Sequence, residues 1–274
     1  MTEPEKLQGL PQSSPNDPTT QALAVRNLSK SYGNSTVVNT INLDIPKGSI
    51  YGIVGPNGAG KTTMLSMATG LIRPTQGSAW ITGYNVWEEP DGAKRAMGLL
   101  ADGLPVFDRL SGMELLAYVG ALRGLEEKLV HQRSVELMDA LGLAEAGTKK
   151  IVDYSAGMTK KILLAQALIH NPQVLILDEP LEAVDPVSGR LIQHILKNFA
   201  QAGGTVVLSS HVMELVEGLC DHVAIINKGI VEVSGHVDEI RKGKSLTDIF
   251  VEIVGGGALQ EGSLSWLGSS EGRA

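Results

Sequence analysis

Cysteine is almost absent from the sequence, which has a single thiol, Cys220, in 274 residues. One cysteine cannot form an internal disulfide, so a disulfide-stabilised fold is excluded and a reducing compartment is expected. A buried structural cysteine is favoured over a catalytic thiol. Positive charge is also in deficit, because 23 lysines and arginines face 30 acidic residues, for a formal net charge of −7. This balance argues against a nucleic-acid partner bound through a broad basic face.

Long apolar runs are missing as well. No stretch approaches the roughly 18 apolar residues that a helix needs to cross a bilayer. The polar segment Met1–Gln21 also lacks the apolar core of a signal peptide. We therefore expect a cytoplasmic protein, peripheral on the inner face of the cell membrane only through a partner. The apolar share of 43% is nevertheless enough for a substantial buried core.

The middle of the chain has the pattern of an α/β domain. Residues 1–22 are predicted to be a disordered leader, and residues 255–274 a flexible tail. Between them, at 23–254, short β-rich runs alternate with longer helical patterns, which is typical of a largely parallel sheet. Three apolar runs have the composition of buried central strands, namely Ser49–Val54, Val174–Leu177 and Thr205–Leu208.

Helical periodicity dominates residues 97–169, which are predicted to form a helical subdomain inserted into the sheet domain. The apolar positions that carry this periodicity are Met113, Leu116, Val119, Leu122, Val135, Met138 and Leu141. Further on, Asp185-Pro186 is predicted to open a helix that Gly203-Gly204 ends. The runs Val223–Ile226 and Ile230–Val233 predict a hairpin.

A last amphipathic helix is predicted near the end of the chain. Ser245 and Asp248 have the spacing of a capping box. The face that we expect to be buried, against the core or a dimer mate, consists of Leu246, Ile249, Phe250, Ile253 and Val254. Residues beyond Gly257 are predicted to be dispensable for stability and activity.

The strongest chemical motif is a glycine-rich run that fits the P-loop pattern. It consists of Gly55, Pro56, Asn57, Gly58, Ala59, Gly60, Lys61 and Thr62, and Thr63 follows in a helix-compatible segment. The glycines allow backbone N–H groups to wrap a polyphosphate, Lys61 reaches the β- and γ-phosphates, and the Thr62 hydroxyl ligates magnesium. Because the run directly follows the strand-like Ile50–Val54, we expect an ATP and Mg²⁺ site rather than a flexible glycine turn.

Two acidic residues follow the apolar run Val174–Leu177. Asp178 can hold magnesium through water, and Glu179 can polarise an attacking water as general base. Two acids after a strand are usually a solvated strand end, but together with a P-loop the catalytic interpretation is favoured. His211 follows a third strand, and we expect it at the same sheet edge, aimed at the γ-phosphate.

With these three elements, the sequence from Leu23 to Gly255 resembles the nucleotide-binding domains of ATP-binding cassette (ABC) proteins. The resemblance implies a P-loop NTPase core with a mostly parallel sheet, an N-terminal antiparallel β subdomain and an inserted α-helical subdomain. It also implies that Tyr32 stacks on adenine and that Asp185 belongs to the D-loop, which touches a partner subunit.

Tyr154–Met158 is similar to the signature of the ABC family. The resemblance implies that Ser155 and Gly157 bind the γ-phosphate of ATP held by the other monomer. The signature usually reads Ser-Gly-Gly-Gln and here reads Ser-Ala-Gly-Met, so Met158 does not supply the usual amide. The Q-loop glutamine of the family falls at Asp102, a shorter and charged residue that we expect beside magnesium, in a catalytic and metal-binding role.

The resemblance favours the ATPase motor of a membrane transporter. Two such subunits, as a homodimer or heterodimer, would sandwich two ATP molecules and drive a multi-span permease, commonly for export. We expect the permease to dock between Asp102 and Leu116, where Leu104, Val106 and Phe107 offer an apolar anchor. The alternative is that these three residues pack inside the subdomain.

Two other functions use a P-loop and are alternatives to a transporter motor. A soluble cassette ATPase that remodels a cytosolic partner would use the same nucleotide chemistry and is the main alternative. A P-loop kinase or GTPase is disfavoured, because it would not need a signature helix. The sequence also lacks the guanine-reading Asn-Lys-x-Asp motif, since Asn227-Lys228-Gly229 has no following aspartate.

Overall fold

The computed structural model describes residues 17–103 and 105–255. The strands are β1 (Leu23–Tyr32), β2 (Ser35–Ile45), β3 (Ile50–Val54), β4 (Gln76–Ile81), β5 (Tyr84–Asn85), β6 (Met97–Leu100), β7 (Val174–Leu177), β8 (Thr205–Ser210), β9 (His222–Asn227) and β10 (Ile230–His236). The α-helices are α1 (Lys61–Ala68), α2 (Pro90–Ala96), α3 (Gly112–Leu122), α4 (Glu127–Ala140), α5 (Ala156–Leu168), α6 (Pro186–Gln201), α7 (Met213–Leu219), α8 (Val237–Arg241) and α9 (Leu246–Val254). Three short 3-10 helices lie at Pro18–Thr20, Ala144–Ala146 and Ile151–Asp153.

The strands form two sheets. An antiparallel sheet has the order β2-β1-β4-β5, and a six-stranded sheet has the order β10-β9-β3-β8-β7-β6. In the second sheet only β10 is antiparallel, as the outer strand of the predicted hairpin. The predicted α/β architecture, with a mostly parallel sheet, an N-terminal antiparallel sheet and inserted helices, is confirmed.

The parallel sheet is buried on both faces because its side chains alternate between two apolar clusters. Leu175 and Leu177 of β7 join the cluster on one face, which contains residues of helices α3 to α9. Val174 and Ile176 join the cluster on the other face, which contains the antiparallel sheet, α1 and α2. This double burial explains why the central strands are continuous apolar runs without polar alternation.

The helical region differs from its prediction at its first residues. Met97–Leu100 is β6, the edge strand that pairs in parallel with β7, and the helices of the insert begin after it. Gly98 explains why the run has little strand signal, since glycine is depleted in strands. A Cβ at this position would lie 2.1 Å from the carbonyl oxygen of Ala167 in α5, so close packing requires the glycine.

The two ends of the described chain fall inside the predicted leader and tail. Pro18–Thr20 form a 3-10 helix capped by Asp17, and Ala22 is fully buried, with its N–H donating to Ile45 O. Residues 1–16 and 256–274, which carry most of the leader and tail predictions, lie outside the described residues, as does Leu104. Within the described ranges, no helix is both long and apolar enough to span a bilayer.

The predicted C-terminal helix is present as α9. The Ser245 hydroxyl accepts from the N–H of Asp248 at 3.0 Å and donates to its carboxylate at 2.7 Å. Leu246 and Ile249 are buried, and Phe250 and Ile253 pack partly buried against the same apolar cluster. The predicted face therefore packs on the core of its own chain.

We predict that Phe250→Asp destabilises the protein, because it places a charge in this apolar contact. The free energy of unfolding should fall by about 2–3 kcal/mol. The matched control is Val251→Asp, since the neighbouring Val251 is 48% exposed and should accept the charge. Thermal unfolding of both variants tests this, and equal melting temperatures for the two would contradict the packing of α9.

Candidate active site

The glycine-rich run joins β3 to α1 at the carboxyl edge of the parallel sheet. Gly60 has φ +100°, a conformation that favours glycine, and a Cβ there would lie 2.8 Å from Val37 O. A Cβ at Gly55 would lie 2.2 Å from Ile226 O. The β9–β10 hairpin supports the loop, because Gly229 N–H donates to Ala59 O at 2.9 Å. Larger residues at Gly55 and Gly60 would therefore displace the loop from its neighbours.

Lys61 is the first residue of α1, and its side chain folds back into the glycine-rich loop that precedes it. Its side chain is buried, and its ammonium donates to Gly55 O at 2.8 Å and to Pro56 O at 3.3 Å. Burial lowers the pKa of Lys61, and the negative charges of Glu179 and Asp178 partly offset this shift. These carboxylates share the site with the lysine, as the sequence motifs predicted.

Asp178 and Glu179 follow β7, beside Ser209 at the end of β8. Asp178 is buried, and its carboxylate accepts from the Ser209 hydroxyl at 2.5 Å. The same hydroxyl oxygen accepts from the Glu179 N–H at 2.9 Å. Ser209 thereby fixes both acidic residues relative to the sheet, which is a role that the sequence reasoning missed.

Glu179 faces His211, which follows β8. The Glu179 carboxylate lies 3.1 Å from His211 Nδ1, and its side chain is largely buried, whereas His211 is about half exposed. An ionised carboxylate can only accept a hydrogen bond, so Nδ1 of His211 is the donor in this pair. The neighbouring strands thus bring the predicted base and the predicted histidine together.

A second group of predicted residues surrounds the start of α5. Ser155 is exposed and caps this helix, since its hydroxyl accepts from Met158 N–H at 3.2 Å. Gly157 packs near Ala183, whose carbonyl oxygen would lie 3.4 Å from an added Cβ. The next residues of that loop lead to Asp185, which caps α6 by accepting from Val187 N–H and Ser188 N–H. Hydrogen bonds from Ser188 hold the pKa of Asp185 below its ordinary value.

Comparison with known families agrees with this geometry. The ABC transporter model matches residues 38–182, more than half of the chain, including the P-loop, Ser155, Asp178 and Glu179. The chain belongs to the ABC transporter family.

Three known proteins illustrate the similarity. The chain is 37% identical over 207 residues to the linearmycin resistance ATP-binding protein LnrL of Bacillus subtilis, covering 76% of this chain and 67% of that protein. A solved ATP-binding subunit of an ABC transporter superposes with a TM-score of 0.80 at 26% identity, over 85% of this chain and 99% of that one. A dimeric ATP-binding cassette bound to ADP and Pi superposes with a TM-score of 0.73 at 23% identity, over 78% of this chain and 98% of that one.

Family membership confirms several predictions from the sequence. The protein is an ATP-binding ATPase of an ABC transporter, the motor subunit that hydrolyses ATP, and the remodelling alternative is not favoured. The roles of individual site residues stay predictions that rest on the geometry described above.

Asp102, which the family resemblance predicts at the Q-loop position, lies in a turn after β6. Its carboxylate pairs with Lys160 Nζ at 3.1 Å, and its side chain is 53% exposed. The same ammonium donates to the Glu179 carbonyl oxygen at 3.2 Å. Lys160 lies on α5, and the sequence reasoning did not identify it. Asp102 is therefore linked to the catalytic loop through one lysine.

Tyr32, the predicted adenine-stacking residue of the ABC fold, ends β1 with its ring about half exposed. The ammonium of Lys30 lies 5.0 Å from the ring centroid, in a cation–π contact. The hairpin that begins at Tyr32 continues into β2, where Val37 approaches Gly60. The exposed ring of Tyr32 therefore lies at the end of β1, the strand that pairs with the one adjoining the P-loop.

Proposed function

We propose that this ATPase works as a dimer with Mg²⁺ and drives a multi-span permease of an exporter. The observation that carries the proposal is the convergence of Lys61, Asp178, Glu179 and His211 at one edge of the parallel sheet. Such an edge is where α/β folds place ligands. Expressing the subunit with its membrane partner and testing which chains purify together is the direct experiment.

The donor atoms at the sheet edge fit a magnesium ion bound with ATP. Thr62 offers an exposed hydroxyl in the first turn of α1, and Asp178 offers a carboxylate held by Ser209. Both are hard oxygen ligands, which Mg²⁺ prefers. An ion of this kind keeps several waters and takes phosphate oxygens, so it needs only one or two ligands from the protein. When bound, Mg²⁺ would neutralise charge on the phosphates.

The protein residues would then carry hydrolysis as follows. The loop N–H groups and Lys61 hold the β- and γ-phosphates, with the Lys61 charge kept close by its bonds to Gly55 O and Pro56 O. Water attacks the γ-phosphorus, the bond to the bridging oxygen of ADP breaks, and Glu179 accepts the proton of the water. His211 orients the Glu179 carboxylate through their 3.1 Å contact.

A dimer would complete each site. Ser155 is exposed at the N-terminus of a 13-residue helix, where the helix dipole and N–H groups favour an anion. The family resemblance assigns this helix to the ATP of the other subunit, and the cassette with ADP and Pi is itself dimeric. Asp185, in the adjoining loop, would touch the partner. Closure and reopening of the dimer would move the helical regions.

The helical region carries an exposed aromatic pair that suits a membrane partner. Phe107 is 57% exposed, and its ring contacts the exposed ring of Tyr118 edge-to-face, with centroids 5.3 Å apart. Val106 instead packs partly buried against the core. The predicted anchor is thus divided, with Val106 inside and Phe107 available to a short helix of a permease. The resistance function in the name of LnrL favours export as the direction.

We predict that Phe107→Glu releases the subunit from membranes, because a charge at the anchor opposes helix docking. The variant should leave the membrane fraction in native cells and lose a co-purifying multi-span protein. The purified variant should still hydrolyse ATP at a rate comparable to that of the wild type. Val135→Glu on α4 is the matched control, since Val135 is also exposed and should tolerate the charge.

The contrary result is also specific. Recovery of all wild-type protein in the soluble fraction, bound to a cytosolic partner, would replace the transporter assignment with a remodelling ATPase. Membrane association that Phe107→Glu leaves unchanged would keep the transporter but move the docking surface elsewhere.

A further inference from the structure

Glu179 has a backbone conformation that its residue type disfavours. Its φ is +46°, in the left-handed region, where a Cβ approaches the backbone too closely. Such residues persist where the surroundings hold them, and they cluster at functional sites. Glu179 is therefore held by the groups around it.

Each polar group of Glu179 has a hydrogen-bond partner, and side-chain partners come from two distant parts of the chain. Its N–H donates to Ser209 Oγ at 2.9 Å, and its carboxylate accepts from His211 Nδ1 at 3.1 Å. Its carbonyl oxygen accepts from Lys160 Nζ at 3.2 Å and from the N–H of Glu182, three residues on, also at 3.2 Å. Ser209 and His211 come from the end of β8 and its following loop, whereas Lys160 comes from α5. The hydrogen bond from Lys160 thus links Glu179 to α5, the helix that begins after Ser155.

Lys160 also balances a charge. Its ammonium lies 3.1 Å from the Asp102 carboxylate, and its side chain is only 14% exposed. Asp102 adds a negative charge to a site that already holds Asp178 and Glu179 and that would bind a polyphosphate. An unpaired carboxylate there would repel the phosphates, and solvent would screen part of this repulsion because the Asp102 side chain is half exposed.

We propose that Lys160 is a positioning residue of the ATPase site with two separable effects. Through the Glu179 carbonyl it holds the left-handed peptide that aims the general base. Through Asp102 it cancels a charge that would weaken ATP binding. Lys160 acts through these two residues and does not touch the reacting atoms, so the inference rests on the proposed role of Glu179.

The two effects predict a split between kcat and KM. Lys160→Met removes the charge and the hydrogen bonds but keeps an unbranched chain, so kcat should fall about tenfold, less than the ~10²-fold cost of a grossly misplaced group. KM for ATP should rise. Lys160→Arg should restore most of both values. Adding Asp102→Asn to Lys160→Met should restore KM but leave kcat low, because the Glu179 carbonyl keeps the Glu182 N–H but still lacks the lysine that ties it to α5.

Steady-state ATPase kinetics on the full chain, at a temperature where circular dichroism shows every variant folded, test these expectations. Lys128→Met is the matched control, because Lys128 is an exposed lysine of α4, and it should behave as the wild type. An equal loss in Lys128→Met, a wild-type kcat in Lys160→Met, or a KM that Asp102→Asn does not restore would overturn the inference. Glu179→Gln separates this failure from failure of the proposed function. If only the inference about Lys160 is wrong, Glu179→Gln is still inactive, whereas an active Glu179→Gln would show that Glu179 is not the general base.

Discussion

Replacing Glu179 with glutamine should abolish ATP turnover while leaving ATP binding intact. Glutamine keeps the size of the side chain but cannot accept the proton of the attacking water. Loss of a general base of this kind costs about 10²- to 10⁴-fold in rate. The Ser209 contact to the Glu179 N–H uses the backbone, so the loop should keep its conformation. We expect an ATP-locked dimer that size-exclusion chromatography separates from the monomer.

Lys61→Ala is the comparison that separates chemistry from binding. The buried ammonium of Lys61 lies in the phosphate loop, so its removal should weaken nucleotide binding itself rather than trap a dimer. Equilibrium binding of ATP and phosphate release are measured for both variants. Hydrolysis by Glu179→Gln at a near wild-type rate would show that another group accepts the proton.

The parts of the site that the sequence predicted are those set by local chemistry. Val174–Leu177 is β7 with the predicted bounds, because a fully apolar run between Gln173 and Asp178 has one reasonable strand assignment. The P-loop could be predicted because its glycines lie within a few residues of each other. The caps of α5 and α6, Ser155 and Asp185, likewise depend on bonds to residues two or three positions away.

The parts that the sequence did not reveal depend on contacts between distant segments. Ser209 reaches Asp178 because β7 and β8 pair in a register that places Leu177 beside Leu208, so the next residues face each other. The sequence shows that Ser209 follows an apolar run, but it does not show the register in which β7 and β8 pair. Lys160 and Asp102 are 58 positions apart in the sequence, and they meet because α5 packs on β6. The positive φ of Glu179 has no sequence signal, since glutamate rarely adopts it.

Catalysis should require two chains, and mixing two inactive variants should show it. Ser155→Arg places a bulky cation at the exposed N-cap of α5, where the ATP of the partner would bind, and costs only about 1 kcal/mol as a lost cap. Lys61→Ala disables the P-loop of its own chain. In any dimer of either variant alone, both composite sites lack one component.

In the mixture, a heterodimer pairs the intact Lys61 of one chain with the intact Ser155 of the other. One of its two sites is then complete, so random exchange in an isologous dimer should restore up to about one quarter of wild-type activity. Lys61→Ala mixed with Glu179→Gln is the control, because both changes disable the half-site of their own chain and no complete site can form. ATPase rates are measured across mixing ratios and protein concentrations. Activity that stays first order in protein, with no dimer at any ATP concentration, would show that one chain suffices.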